Sequence, residues 1–344
     1  DTLGSRATAM GHEALVAQNF TTATNSYNVA VGYQAGHDIS TGTLNTLIGS
    51  LAGDVLTDAD NNVAIGYSAL GSDTMGSRAT AVGYAALGVQ NFTTATNGYN
   101  VGVGTSAGGA ITTGINNTIV GGLAGDALTD ADYNTAVGMA ALSTDTLGSR
   151  STAIGYAALN NQAYTTATDS HNVAVGNNAG AAVTTGVRNV LVGSNTGDAL
   201  TDADYNTALG QQALTTDTNG NRTTAVGYAA LQNQNFTTAT DSFNTAVGFQ
   251  AGINVTTAIK NTLVGADVGD AITTGDFNTA MGYNALGAET AGTRSVAIGA
   301  SALKAQNVGG GTTTYNTAVG HIAGFALTSG VNNTLIGGAA GDAL

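Results

Sequence analysis

The chain has 344 residues and a formal net charge of −14, with 8 basic residues against 22 acidic ones. This balance argues against nucleic acid as a partner, because binding of phosphate backbones needs clustered Lys and Arg. The sequence contains 50 glycines and no proline, cysteine or tryptophan, which argues against long helices, disulfide bonds and thiolate metal sites. Hydrophobic residues make up 42%, and their regular recurrence argues against disorder.

A short strand-like phrase, such as Asn-Thr-Ala-Val-Gly at 134–138, recurs nineteen times. The glycines that close it lie 21, 17, 17 and 17 residues apart before the series starts again, so four units form a 72-residue super-repeat. Such self-similarity predicts an all-β, parallel β-solenoid or β-roll with 17- and 21-residue coils. We expect 1–344 to be a single repetitive shaft, with super-repeats starting near 7, 79, 151, 223 and 295. We number the units first to fourth, the first being the long one.

Alternation along the strand assigns the two faces of each phrase. The residues one and three positions before the glycine are Val, Ile, Leu, Met or Thr, as in Val29 and Val31. Because β-branched residues fit a packed, pleated surface, we predict that these two positions face the interior of the coil. The residue between them, Ala or Gly in most units and Leu or Ile in third units, is then predicted to face outward. So is the Ala three positions after the glycine, as in Ala69.

An outward row of Ala and Leu would be longer than the apolar patches that soluble monomers leave exposed. We therefore predict a homo-oligomer, a homotrimeric fibre packed about a common axis. The sequence begins inside a fourth unit and stops inside a third, so we expect it to be a segment of a longer chain.

Asn begins the phrase in every second, third and fourth unit, as in Asn45 and Asn62. We predict that these asparagines hold neighbouring coils in register through amide bonds and Asx turns rather than bind a ligand. The glycine that ends the phrase is expected to provide a positive φ or a close approach of two backbones.

Asn62-Val-Ala-Ile-Gly66 and Ser295-Val-Ala-Ile-Gly299 resemble the repeats in the heads of trimeric autotransporter adhesins. The phrase is similar also to repeats of bacteriophage tail-fibre proteins. The resemblance implies a homotrimer of left-handed parallel β-rolls that acts outside the cell, as a virion tail fibre or on the bacterial surface. It implies a structural shaft for attachment, which spaces a binding tip from its anchor and can contact host-surface glycans or proteins. The units of 17 and 21 residues are longer than those of the adhesin heads.

The four extra residues of each first unit are the main candidate for a ligand contact. A longer coil must bulge from the stack, and it carries an aromatic residue in four of the five copies, namely Phe20, Phe92, Tyr164 and Phe236. Exposed rings there would stack on sugars. The alternative is that the loop folds back and its ring packs as a plug.

Charged residues recur in register as well. Arg78, Arg150, Arg222 and Arg294 each follow an acidic residue by five positions, as Arg6 follows Asp1, which predicts ion pairs or, alternatively, a ligand-binding row. Third units carry an Asp-x-x-x-Asp-x-Asp turn whose carboxylates are candidate Ca²⁺ ligands, with solvated turns as the alternative. These residues are Asp54, Asp58, Asp60, Asp126, Asp130, Asp132, Asp198, Asp202 and Asp204.

No recurring nucleophile, carboxylate pair or phosphate loop accompanies the four histidines, so we predict no enzyme activity and no other cofactor. We also predict no membrane insertion in this segment. Two alternatives to the attachment fibre remain open. One is a self-assembling extracellular filament. The other is an ice-binding β-solenoid, which needs a flat ladder of Thr side chains on the outside.

Overall fold

The computed structural model describes residues 3–344, which consist of short β-strands and turns and contain no helix. The chain forms two compact units, Asp1–Asn172 and Val173–Leu344, and each is a parallel β-solenoid of about 17-residue coils. Below, the first unit and the second unit are these two compact units, whereas the plural forms, such as third units, refer to the sequence repeat. The all-β solenoid class predicted from the period is therefore confirmed.

Within residues 3–172, the first compact unit contains fifteen strands. They are β1 (Gly4–Ser5), β2 (Thr8–Met10), β3 (Thr24–Asn25), β4 (Val29–Val31), β5 (Thr46–Ile48), β6 (Val63–Ile65), β7 (Gly76–Ser77), β8 (Thr80–Val82), β9 (Thr96–Asn97), β10 (Val101–Val103), β11 (Thr118–Val120), β12 (Thr135–Val137), β13 (Gly148–Ser149), β14 (Thr152–Ile154) and β15 (Thr168–Asp169).

The second unit contains twelve strands. They are β16 (Val173–Val175), β17 (Val190–Val192), β18 (Thr207–Leu209), β19 (Gly220–Asn221), β20 (Thr224–Val226), β21 (Thr240–Asp241), β22 (Thr245–Val247), β23 (Thr262–Val264), β24 (Thr279–Met281), β25 (Val296–Ile298), β26 (Thr317–Val319) and β27 (Thr334–Ile336).

The three-residue strands form the main sheet of each unit, and every strand is the repeated phrase of one coil. In the first unit the order is β2-β4-β5-β6-β8-β10-β11-β12-β14, and in the second it follows the chain from β16 to β27. All these pairs are parallel and in register, as Val29 with Thr46 and Val31 with Ile48. The two-residue strands pair beside the long coils, β1 with β3, β7 with β9, β13 with β15 and β19 with β21.

The glycine after each main strand is required for two reasons. Gly32 has φ +142°, a conformation that L side chains rarely adopt. A Cβ on Gly32 would also lie 2.4 Å from the carbonyl oxygen of Gly49 in the next coil. Both the positive φ and the close backbone approach predicted from the sequence are therefore confirmed.

The predicted orientation of the strand faces is wrong. The central residue of the phrase points inward, because Ala30, Leu47 and Ala64 are 0% exposed. Ala69, three positions after its glycine, is equally buried. The flanking Val29 and Val31 lie on the outside and are half-buried. The Ala and Leu rows thus form the core of a single chain, and they give no argument for an oligomer.

The core is narrow, and its side chains interlock between coils. Leu47 fills space that two glycines leave free, since a Cβ on Gly36 or Gly53 would lie 2.7 or 2.9 Å from a Leu47 methyl group. In the first and fourth units of the repeat the central residue is small, as Ala64 is, and the buried leucine comes four positions after the glycine, as Leu70 does. Such exchange of large and small residues fills the interior without cavities.

The buried asparagines connect each coil to the next. The Asn45 side chain donates from Nδ2 to the Ala59 carbonyl at 2.7 Å, and its Oδ1 accepts the Asn62 backbone N–H at 2.9 Å. The Asn62 side chain repeats this pattern with Gly76 and Ala79. Their predicted role in holding the coil is confirmed, and the bonds run mainly from amide to backbone.

Candidate interaction surface

The outward side chains of the main strands form the largest regular surface of each unit, which we call the flat face. It carries Thr or Val three positions before each glycine and Val, Ile, Leu or Met one position before it. Most of these side chains are half-buried by their neighbours in the ladder, and Ile48, Ile154 and Met281 are exposed. A parallel sheet with an uncovered apolar face is uncommon, because such sheets are usually covered on both sides.

One border of the flat face, which we call the basic edge, is the column of residues five positions before the glycines. Seven of the eight basic residues lie in it, namely Arg6, Arg78, Arg150, Arg188, Arg222, Lys260 and Arg294. Aromatic residues occupy much of the same column. Arg222 lies 5.4 Å from the Tyr205 ring centre, and Arg294 lies 4.9 Å from that of Phe277. The column is therefore a ladder of cation–π contacts, and its rings stay partly exposed, as Tyr133 at 49% and Tyr315 at 59% do.

The opposite border, the aromatic edge, consists of the residues directly after the glycines. It carries no Lys, Arg, Asp or Glu, and Tyr84 and Tyr283 are 57% and 58% exposed. Some rings stack between coils, as Tyr67 and Tyr84 do at 5.5 Å. Among the described residues, accessible rings therefore lie on both edges of the flat face.

The aromatic residues of the long coils are buried. Phe20, Phe92, Tyr164 and Phe236 are 5%, 5%, 5% and 6% exposed, and Phe92 packs so closely that a Cβ on Gly76 would lie 2.6 Å from its ring. A sugar-stacking role needs an exposed ring face, which these residues do not present. Their geometry matches the alternative in which the loop folds back and its ring packs.

In residues 3–344 a buried carboxylate anchors four of the long coils from the coil before them. Asp217 accepts the backbone N–H groups of Gly220 and Phe236 at 3.0 and 2.9 Å and the Gln234 amide at 2.6 Å. Gln234 in turn accepts a bond from Asn244 at 2.8 Å. Burial raises the pKa of Asp217, although these hydrogen bonds act in the opposite direction. Asp73 and Asp145 occupy the same position, and Glu289 replaces them in the last super-repeat.

The expected ion pairs five residues apart do not form, because the acidic partner is turned inward. Asp145 is 0% exposed and bonds Gly148, whereas Arg150 pairs with Asp169 of the next coil at 3.0 Å. Arg222 pairs likewise with Asp241. Asp1, the first acidic residue of the series, lies outside the described residues.

The acidic turns of third units bond the preceding coil. Asp60 accepts the backbone N–H and the hydroxyl of Thr43 at 2.6 and 2.8 Å, and Asp58 accepts the Thr41 hydroxyl at 2.5 Å. Asp130 and Asp202 likewise accept a Thr hydroxyl, whereas Asp132 and Asp204 accept only a backbone N–H. Within residues 3–344 no group of three His, Asp or Glu side chains could hold a metal ion. The structure therefore does not gather the three aspartates of a turn into one cluster.

The remaining aspartate of each acidic turn is half-buried. Burial raises the pKa of Asp54, Asp126, Asp198 and Asp270. In the last three, Oδ1 is enclosed by protein and has no hydrogen-bond partner. A hydrogen bond from the residue's own backbone N–H acts in the opposite direction in all four, so burial is the larger of the two effects on the pKa.

In residues 3–344 no helix has the length and apolar character needed to cross a membrane. No protein-family model and no curated protein matches this sequence.

Proposed function

We propose that this chain is the shaft of an extracellular attachment fibre, in which copies of the chain pack through their flat faces as a homotrimer. The fibre would belong to a phage tail or a bacterial surface adhesin and would separate a binding tip from its anchor. We propose neither catalysis nor a cofactor for this segment.

The uncovered flat face is the observation that carries the proposal. At about 3.3 Å per residue and about 4.8 Å between strands, the strip from the basic edge to the aromatic edge covers about 95 Å² per coil. The nine or ten main strands of a unit therefore present roughly 850–950 Å². This is close to the area of about 800 Å² that one partner contributes to a stable interface.

The two edges support packing of copies in the same direction. When three parallel copies turn their flat faces toward a common axis, the basic edge of each copy lies beside the aromatic edge of the next. Guanidinium groups then approach exposed rings, which is a favourable contact. Antiparallel copies would instead place two basic edges side by side, and like charges repel.

The oligomeric state tests the proposal. Sedimentation equilibrium should give a mass of three times 33.7 kDa for the native sequence. Combined Val247→Glu and Val264→Glu substitutions place charges on two adjacent strands of the flat face and should give a folded single chain. Thr257→Glu is the matched control, because Thr257 is exposed on another side of the coil, and it should stay trimeric.

A native chain that stays monomeric over the whole concentration range would refute the trimer. Mass that grows without limit as concentration rises would favour the self-assembling filament. A trimer that survives both substitutions would place the interface elsewhere.

An ice-binding role is the second candidate, because the Thr column lies on the outside of the flat face and not in the core. Thr occupies six of nine such positions in the first unit and seven of ten in the second, with neighbours about 4.8 Å apart. This role needs the flat face to meet water, so it excludes a trimer formed through the same face. Thermal hysteresis in a solution of the chain would support it, and its absence would remove it.

A further inference from the structure

In one stretch of the first unit, three successive coils have glycine at a position where most other coils carry a side chain. The fifth position after the phrase-ending glycine is Gly71, Gly88 and Gly109 in three successive coils. The equivalent positions of the next two super-repeats all carry side chains, namely Ser143, Asn160 and Ala181, and then Thr215, Gln232 and Ile253. The last set is Gly287, Lys304 and Phe325, so three successive glycines do not recur. In a molecule whose other columns recur so closely, this gap is a local feature and not a part of the scaffold.

The missing side chains leave a groove of about 460 Å³ in the first unit. This volume lies within the range of about 300–1,000 Å³ that is usual for small-molecule sites. Its walls are mainly apolar and include two hydroxyl groups. They are formed by Ala85, Val89, Leu123, Ser68 and Ser106 beside Gly88 and Gly109.

Asp126 lines the same groove and is the only charged residue that does so. Its Oδ1 is enclosed by protein and has no hydrogen-bond partner, and burial raises the pKa of the carboxyl group. Partial burial disfavours the charged form of this carboxyl group, and a cation placed beside it removes much of that cost. Since rotation about the Cβ–Cγ bond of aspartate is soft, either oxygen can turn toward the groove.

The unpaired oxygen alone does not define a site, because Asp198 and Asp270 share it. In their super-repeats, however, side chains occupy the positions equivalent to Gly88 and Gly109. Around Asp126 the carboxylate and the open apolar groove occur together. This difference provides a control within the same chain.

We propose that the groove at Gly88, Gly109 and Asp126 binds a small linear aliphatic amine, with its ammonium group at Asp126 and its hydrocarbon chain along Ala85, Val89 and Leu123. A single carboxylate at one place in an otherwise apolar groove selects a cation with an apolar tail. The Ser68 and Ser106 hydroxyls supply the other polar contacts. This inference does not depend on the oligomeric state of the chain.

Isothermal titration of the full chain with n-hexylamine tests the site, and 1-hexanol serves as the neutral probe of similar shape. We expect hexylamine to bind at least tenfold more tightly than hexanol. Asp126→Asn should weaken hexylamine at least tenfold and leave hexanol nearly unchanged. Asp198→Asn, the matched control, should change neither affinity by more than twofold.

A second variant tests the groove without touching the carboxylate. Gly109→Ile introduces the residue that the chain already carries at the equivalent Ile253, so the coil should fold, and binding of both probes should be lost. Equal affinity for amine and alcohol, or full binding by either Asp126→Asn or folded Gly109→Ile, would overturn the proposal. Tighter binding of a lysine-containing peptide than of hexylamine would overturn its assignment to a small amine.

Discussion

Removing one buried asparagine side chain should destabilise the second unit by an amount that the hydrogen bonds define. Asn206 donates from Nδ2 to the Gly220 carbonyl at 2.8 Å, and its Oδ1 accepts the Thr223 backbone N–H at 2.9 Å. In Asn206→Ala both backbone groups lose their partner. The small cavity that remains lies in the core, because Asn206 is 0% exposed.

Each buried backbone group left unpaired costs about 1–3 kcal/mol, so the substitution should lower the free energy of unfolding by about 2–6 kcal/mol. The bond that the Asn206 backbone N–H donates to Asn189 is retained, since it needs no side chain at 206. For a unit of this size, 1 kcal/mol corresponds to about 2–4 °C in melting temperature. The centre of the range therefore predicts a loss of roughly 8–16 °C.

Thermal unfolding followed by circular dichroism measures this loss. Asn177→Ala is the matched control in the same unit, because Asn177 is exposed, and it should shift the melting temperature by no more than about 2 °C. A loss in Asn206→Ala no larger than in the control would refute the role assigned to the asparagine ladder.

Three further predictions follow from the core, the acidic turns and the glycines. Ala136→Asp places an unpaired charge in the core and should lower the free energy of unfolding by about 3–5 kcal/mol. Val137→Asp lies on the flat face, so it should change the sedimenting mass and lower the melting temperature less. Equal losses of stability in the two variants would contradict the assigned orientation. Because burial raises the pKa of Asp198 above its ordinary 3.8, its favourable contribution is complete at low pH and is lost as pH rises through the folded pKa. Asp198→Asn should therefore raise the melting temperature at pH 7 and not at pH 3, and an equal shift at both would refute the cause. Gly138→Ala should abolish soluble folded protein, since its Cβ would lie 2.4 Å from a carbonyl oxygen, whereas Gly122→Ala meets open space and should express normally.

The period, the strand positions and the roles of Asn and Gly could be predicted from the sequence, because each reflects a constraint that acts in every coil. A glycine such as Gly32 has a backbone that no other residue can adopt, and an asparagine such as Asn45 forms bonds that no apolar residue replaces. Constraints of this kind appear in the sequence as invariant columns.

The orientation of the strand could not be derived from β-propensity, because the interior of so short a coil is too narrow for a row of valines. Alanine marks the inside here, and Val29 and Val31 lie outside. A signal was nevertheless present in the sequence. In the coil that has Leu47 at the centre of the strand, the residue four positions after the glycine is Gly53. In the next coil the centre of the strand is Ala64, and the residue four positions after the glycine is Leu70. This exchange of volume indicates that both columns face one shared interior.

The burial of Phe92 and the isolated groove at Asp126 depend on how one coil closes against another. Asp73 and Gln90, which bond each other at 2.6 Å, lie 17 residues apart in different units of the repeat. Nothing in the long coil alone indicates that its ring will be covered. The gap at Gly71, Gly88 and Gly109 is visible in the sequence only when the columns are compared as three-dimensional neighbours.

The carboxylate that anchors each long coil restricts how the gene can change in length. Gln162 and Gln234 find Asp145 and Asp217 because a fourth unit always precedes a first. Loss or duplication of a whole 72-residue block keeps every such pair, and the shortened or extended product would retain all its partners. Excision of a lone 17-residue fourth unit would instead leave a glutamine facing an aliphatic side chain. Loss or gain of whole super-repeats is therefore the change in length that preserves these hydrogen bonds.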